Sequence, residues 1–539
     1  MQKNVNKKNI NVTYDAVIIG AGFAGLYMLH KLRCYGLKAH IFEKAPRIGG
    51  TWYWNKYPGA RCDTESLQYS YQFSKELQDE WVWSEKYATQ PEILKYLEHV
   101  VDRFKLSESI SLNKQITDVI YNEETKLYQI KNDQFEQFQS KFCILASGCL
   151  SEPIKPKING IENFSGEIFQ TSRWPDKSIN FRNKKVAIIG TGSSGVHVIP
   201  IIAEYCKNLY VLQRTANYAV PAHNRKLPDE YVKNFKNNYK ENRQKAKELV
   251  SGFLTHYNPL SALEVNERDL KKEYDKRWEA GGLAFLAAFS DITYNKRANK
   301  TASNYIENKI KEIVDDQEVA KLLTPNSIVG CKRLVIDSDY YTTYNRKNVE
   351  LIDLNKEPIN FLTDHSIKLK NREIAIDSLI LATGFDAMTG AINNINIVGK
   401  DKVKLRNKWL NGPSSYLGLM VNGFPNLFTI TGPGSPSVLT NMIPTIEQHV
   451  DWIGDCIRYM QKKSYHSIEA NLDAETSWVK YNEDCARNTL RYECDSWYLG
   501  SNVNNKQRIF LPFVGGLPTY IKKCEEITRN SYEGFRFFN

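Results

Sequence analysis

Long apolar runs are missing from this chain of 539 residues. Apolar runs such as residues 142–146 and 379–382 fall far short of the ~20 residues a membrane-spanning helix needs, so no membrane association is expected. Residues 1–13 are rich in Asn and Lys and lack the apolar stretch of a secretory signal; they read as a frayed tail. The chain has ten cysteines but no Cys-x-x-Cys, which leaves neither a zinc ribbon nor a dithiol redox centre and predicts no metal. Reduced thiols in the cytoplasm are the expectation. Also missing is any block of five or more basic residues. The net charge of +11, from 72 basic and 61 acidic side chains, is spread along the chain and reads as a solvated surface rather than a nucleic-acid groove.

What is present is ordinary globular composition, 42% apolar and 25% charged, with room for three or four domain-sized units at ~150 residues each. Residues 14–20 form an apolar run closed by Gly20, residues 24–35 carry helical periodicity up to the stop at Gly36, and residues 38–43 resume as a strand. That is a βαβ unit. Residues 185–190, a glycine turn, a helix to about Tyr205 and a strand over 209–213 repeat it. Between 225 and 325 the pattern turns to charged helices, with Ile306, Ile310 and Ile313 in helical spacing, and predicts a helical insertion that covers a cleft.

Each βαβ unit carries a phosphate cradle. In the first, Gly20, Gly22 and Gly25 enclose Ala21, Phe23 and Ala24, so that the backbone approaches a pyrophosphate whose charge meets helix N-terminal amides. Glu43 ends the next strand, where an acid accepts hydrogen bonds from an unphosphorylated ribose. In the second, Gly190, Thr191, Gly192, Ser193, Ser194 and Gly195 repeat the turn, but its strand ends in Gln213, Arg214 and Thr215, and a cation there suits a 2′-phosphate. One cradle is therefore predicted to take FAD, or at least an unphosphorylated dinucleotide, and the other NADP as NADPH. The predicted class is α/β, with two Rossmann-like dinucleotide-binding domains and the helical insertion in the second. Residues 1–146 and 388–539 are assigned to the FAD domain and residues 147–387 to the NADP domain, on the rule that parallel strands are added by crossover.

The stretch from Gly49 to Asp63, Gly-Gly-Thr-Trp-Tyr-Trp-Asn-Lys-Tyr-Pro-Gly-Ala-Arg-Cys-Asp, resembles the long signature of the type I Baeyer–Villiger monooxygenases at every defined position. A second signature of that family is nearly present as Phe164, Gly166, Trp174 and Pro175, with Gln170 where the family has histidine. Further matches are Gln213-Arg214-Thr215, Cys331-Lys332-Arg333, residues 382–386 and Ser496-Trp497-Tyr498. The resemblance runs from about residue 14 to 537. It implies a flavin reduced by NADPH, reaction with O2 to a C4a-peroxyflavin, and attack on a small ketone through a Criegee intermediate to give an ester or lactone.

On the same resemblance Arg333 sits over the flavin and Asp63 orients it; Gly49, Gly50, Thr51 and Trp52 line the flavin, with Tyr69, Ile116 and Met442 as further contacts. Lys332 joins Arg214 and Thr215 at the 2′-phosphate, and Trp497 belongs to a loop folding over nicotinamide and substrate. The chemistry asks for such an arginine independently, because negative charge develops on oxygen and a fixed guanidinium stays charged at working pH. Cys149, in a segment where the family varies, reads as a small buried hydrophobe. Residues 435–442 match a substrate-side loop in length and favour small aromatic or aliphatic ketones. A monomer or weak oligomer is expected.

Three alternatives stay open. A flavin monooxygenase acting on sulfides or amines shares both cradles but needs no arginine at the flavin. An uncoupled NADPH oxidase or a flavin-binding scaffold draws support from Gln170, which cannot titrate. A disulfide reductase is disfavoured because no paired cysteines are expected to relay electrons.

Overall fold

The computed structural model describes residues 12–504 and 506–539. Ala16, Val17 and Ile18 are all fully buried because their strand, Val12–Ile19, lies inside a sheet covered on both faces. Ala16 and Ile18 pack with Leu26, Leu29 and Ile453, whereas Val17 and Ile19 pack on the other side with Ile116, Val119 and Phe424. The strand pairs in parallel with Ala39–Phe42 and with Gln137–Leu145. A hairpin of Ile116–Asn122 and Leu127–Asn132 extends the sheet antiparallel.

Late segments rejoin this sheet. Leu427–Thr429 pairs with the end of Gln137–Leu145, and Asn396–Val398 pairs with Ile116–Asn122. The 22-residue helix Met442–Lys463 then lies on Phe23–Cys34, where Asp451 accepts from the Tyr27 hydroxyl at 2.6 Å and from Lys31 at 2.8 Å.

The second sheet is wholly parallel, in the order Val349–Asp353, Asn208–Gln213, Lys185–Ile189, Ser378–Leu381, Glu167–Gln170. Its central strand is again two-faced, with Val186 and Ile188 in one core and Ala187 and Ile189 in another. The helices between 229 and 323 carry charged outer faces. In Lys296–Ile313 the residues Ala298, Ala302, Ile306 and Ile310 recur every four positions and are fully buried, and Asn295 caps the start by accepting from the Arg297 backbone N–H at 2.9 Å.

Two expectations are corrected. Val12 and Thr13 are not part of a frayed tail but pair with Phe138 and Gln139, because the long strand Gln137–Leu145 offers free edge groups to satisfy; residues 1–11 lie outside the described residues. Nor are all ten cysteines reduced thiols: Cys331 and Cys494 form a disulfide, with Cα atoms 5.6 Å apart, brought together across 163 positions of chain. Among the described residues no helix is long and apolar enough to cross a membrane.

The helix Met442–Lys463 carries one buried acid that bears on stability. One oxygen of Glu447 accepts from the Gln72 and Phe73 backbone N–H groups; the other has no partner among the described residues. Burial pushes its pKa up to about 7, against the pull of those N–H groups, Lys247 and Arg243. The folded state therefore holds its proton more tightly than the unfolded chain, so stability is lost as pH rises from about 4.5 to about 7, by up to about 3 kcal/mol. Glu447→Gln is expected to raise Tm at pH 8 but hardly at pH 5, as thermal denaturation at the two values would show. An equal change at both would contradict this origin.

Candidate active site

The two glycine turns are built alike. Gly20 and Gly190 adopt φ of +110° and +108°, and a Cβ on either would strike the carbonyl oxygen at the end of a neighbouring strand, Ala146 or Ala382. A Cβ on Gly25 or Gly195 would overlap the carbonyl of Gly20 or Gly190, so each helix sits directly against its strand end. The helices Phe23–Cys34 and Ser193–Tyr205 thus present their first amides at the ends of their sheets. Gly22 faces Gly50, which caps the short helix Thr51–Trp54 and places a second stretch of backbone beside the first cradle.

A cavity opens at this point, at the C-terminal ends of the first sheet's central strands. Its wall carries Gly20, Gly22, Phe23, Ala24, Glu43, Gly49, Gly50, Thr51, Trp52, Tyr69, Ile116 and Met442, and from farther along the chain Asp63, Ser193, Arg333 and Trp497. Glu43 is buried, and its two oxygens accept from the Ala21 N–H at 2.7 Å and the Ala45 N–H at 2.8 Å. Burial raises its pKa and those donors oppose the rise. The carboxylate therefore braces the glycine turn and keeps on each oxygen a lone pair that can accept from a ligand hydroxyl. The Trp52 indole N–H donates to the Tyr69 hydroxyl at 3.1 Å, and the Tyr69 ring stands edge-on to Phe23 at 5.3 Å, so the aromatic wall is locked.

Asp63 and Arg333 meet across 270 positions of chain. The guanidinium is bidentate on the carboxylate: Nε donates to Oδ2, and Nη2 donates to Oδ1 at 2.8 Å. Nη1 donates to the Val438 carbonyl at 2.7 Å. Three of five N–H groups are thus held, leaving one on each terminal nitrogen without a protein partner among the described residues. The side chains are 24% and 22% exposed, and both lie on the cavity wall. Burial works to raise the Asp63 pKa, but the guanidinium overrides it and holds the carboxyl below its usual range. Burial likewise opposes the charge of Arg333, and Asp63 outweighs it, so the arginine pKa is raised. Both groups are ionised at neutral pH.

Around the second turn, Thr191 donates from its hydroxyl to the Thr215 carbonyl at 3.1 Å, tying the turn to the strand end that carries Arg214. Lys332 is half-buried; burial first, then the charge of Arg214, lowers its pKa. Two cations pressed together in this way suit an anion between them. Gly25, Gly190, Thr191, Gly192, Ser194, Gly195, Arg214, Thr215 and Lys332 are not on the cavity wall; only Ser193 of the second turn reaches it.

Gln170 ends the edge strand of the second sheet and donates from Nε2 to the Ile154 carbonyl at 3.2 Å, which also accepts from the Thr383 hydroxyl. It therefore fastens the chain where it crosses between the sheets, with a bond that does not titrate. Cys149 lies on the cavity wall, its thiol 2.9 Å from the Ser437 hydroxyl, and burial raises its pKa. That matches a small, inert side chain.

Sequence reasoning missed three groups on or beside the wall. The Val438 carbonyl is a backbone atom with no residue signal. Arg61 sits in the long signature but took no role there. His197, four residues after Ser193 on the same helix face, is recognisable only by that spacing; burial lowers its pKa to about 4, and Nε2 donates to the Ile336 carbonyl at 3.2 Å.

Comparison with known proteins agrees with this geometry. The model of a pyridine nucleotide-disulphide oxidoreductase family matches residues 17–275. Cyclohexanone 1,2-monooxygenase of an Acinetobacter species is 39% identical over 97% of this chain and 96% of its own length. The chain belongs to the Baeyer–Villiger monooxygenases. Phenazine N-monooxygenase PhzNO1 of Lysobacter antibioticus is also 39% identical, over 98% of this chain and 97% of its own. The monooxygenase OTEMO, solved with FAD and NADP, superposes with a TM-score of 0.95 at 36% identity over 98% of this chain and all of that one. This Baeyer–Villiger monooxygenase is an NADPH-dependent FAD enzyme with two dinucleotide-binding domains. The residues present fit both groups, given two cradles that a single Cβ would fill, an acid with spare lone pairs at one and a repelling pair of cations at the other.

The overlap at Gly25 gives a direct test. Gly25→Ala forces the helix off the strand end, and the purified protein is expected to lose its yellow colour and most of its bound flavin. Full flavin occupancy by absorbance in that variant would contradict the packing argument.

Proposed function

We propose that this enzyme inserts one oxygen atom of O2 beside the carbonyl of a small ketone, using NADPH, to give an ester or lactone and water. The Asp63–Arg333 arrangement carries the reading. The reduced flavin, when bound, supplies the electrons and the site at which O2 becomes an oxygen donor. Arg333 lines the cavity and keeps two N–H groups free of protein partners among the described residues, and these meet the negative charge that gathers on the substrate oxygen after addition to the carbonyl. Removing one such donor typically costs about 3 to 4 kcal/mol. Asp63 positions the guanidinium by its bidentate grip and offsets the cost of its burial. Glu43 takes the FAD ribose; Arg214, Lys332 and Thr215 take the 2′-phosphate of NADP.

Val438, Met442, Ile446 and Trp497 supply an apolar wall that excludes water and suits small aromatic or aliphatic ketones. We place the boundaries of the inserted NADP domain at residues 147 and 387. We place the enzyme in the cytoplasm, where NADPH is regenerated, as a monomer or weak oligomer that does not bind nucleic acid.

A second reading, oxygenation of a nitrogen or sulfur, is favoured by the phenazine N-monooxygenase at equal identity. That reaction builds no oxyanion on substrate carbon and does not need Arg333. Arg333→Ala separates the two. Ketone oxygenation, followed by ester mass, is expected to fall by about 10²-fold or more, while anaerobic bleaching of the flavin by NADPH stays within a few-fold of wild type. Wild-type ketone turnover in that variant would overturn the proposal.

A further inference from the structure

The disulfide between Cys331 and Cys494 has no part in the chemistry above, yet it joins two segments that do. Cys331 lies immediately before Lys332 and Arg333, and Cys494 lies three residues before Trp497. The neighbouring contacts are weak and local: Arg491 donates from Nε to the Gly330 carbonyl at 3.1 Å, the Leu490 N–H donates to the Thr293 carbonyl at 3.0 Å, and Lys296 pairs with Glu493 at the surface. The covalent bond is the strongest link between the Lys332–Arg333 segment and the Trp497 segment. In a cytoplasmic protein a disulfide is usually transient and redox-sensing rather than structural.

We infer that Cys331 and Cys494 form a redox-responsive staple. Oxidised, it holds the Trp497 segment down beside Lys332 and Arg333 and slows the release of NADP+; reduced, it lets that segment lift and speeds release. The inference rests on the functional reading above for the role of that segment. Both cysteines are buried, at 3% and 4% exposure, so exchange takes place when the segment opens, and bound NADP+ protects the bond.

The chemistry balances with hydrogen peroxide as oxidant. One thiolate attacks a peroxide oxygen and becomes a sulfenic acid as the first water leaves. The second thiol then attacks that sulfur, the S–S bond forms and the second water departs, so two thiols lose two electrons and two protons. A dithiol reductant reverses it by two exchange steps and is itself oxidised to a disulfide.

The test uses the full-length holoenzyme. Peroxide-treated and dithiothreitol-treated samples are blocked with N-ethylmaleimide and digested without reduction for mass spectrometry. The peroxide sample is expected to contain the Cys331–Cys494 linked peptide, and the reduced sample both cysteines alkylated. Stopped-flow release of NADP+ is then expected to be several-fold slower from the oxidised protein. Cys331→Ser and Cys494→Ser should release it at the reduced rate whichever treatment they receive; if neither folds, the wild-type pair of samples decides. Alkylation of both cysteines after peroxide would overturn the staple itself, independently of the enzyme's reaction. A linked peptide with equal release rates in the two states would overturn its control of the segment.

Discussion

The ion pair between Asp63 and Arg333 is the constraint on which the site depends. Asp63 comes from the loop after the first cradle, and Arg333 from the segment that runs into Val335–Asp337. This bidentate contact ties one dinucleotide-binding unit to the other at the cavity, alongside other links such as Lys56 with Asp176 and the Lys86 backbone N–H on the Arg225 carbonyl at 2.9 Å. Its geometry uses one edge of the guanidinium and the Val438 carbonyl, and it leaves the remaining N–H groups without a protein partner among the described residues. Both partners stay ionised because each suppresses the other's tendency to neutralise on burial. A lysine would give a single point of attachment and lose that division of labour.

The rest of the cavity serves the same end by being rigid. Glu43 braces the glycine turn with both oxygens and Trp52 is fixed by Tyr69; away from the cavity wall, Gln170 and Thr383 share the Ile154 carbonyl where the chain crosses between sheets. Glu43 uses only part of its hydrogen-bonding capacity to hold the wall, and each of its oxygens retains a lone pair. Binding of two large dinucleotides then requires little ordering of protein, which keeps its entropic cost low.

What was legible in the sequence follows from how far apart the interacting groups are. Both cradles could be read directly, because strand, turn, helix and acid or cation fall within about 30 residues and each glycine answers a local steric demand. The Asp63–Arg333 partnership was not readable from spacing and came from the resemblance of the flanking motifs. The Val438 carbonyl was invisible because a backbone oxygen leaves no mark on residue type. His197 needed the helix phase as well as its identity. The Cys331–Cys494 bond joins positions with no shared motif, so an argument from short cysteine spacing excluded what long-range folding provides. Val12 and Thr13 were read as tail because the segment they close, residues 1–13, is rich in Asn and Lys, whereas edge pairing with Phe138 and Gln139 decides their state.

The central claim is that Asp63 acts on the reaction through Arg333 and not separately. A double-mutant cycle on ketone kcat/KM, with Asp63→Asn, Arg333→Lys and the pair combined, measures this most directly. Each single change is expected to lower kcat/KM substantially, and the combined variant to be little worse than Arg333→Lys alone. Losses that simply multiply would show two independent roles and contradict the account.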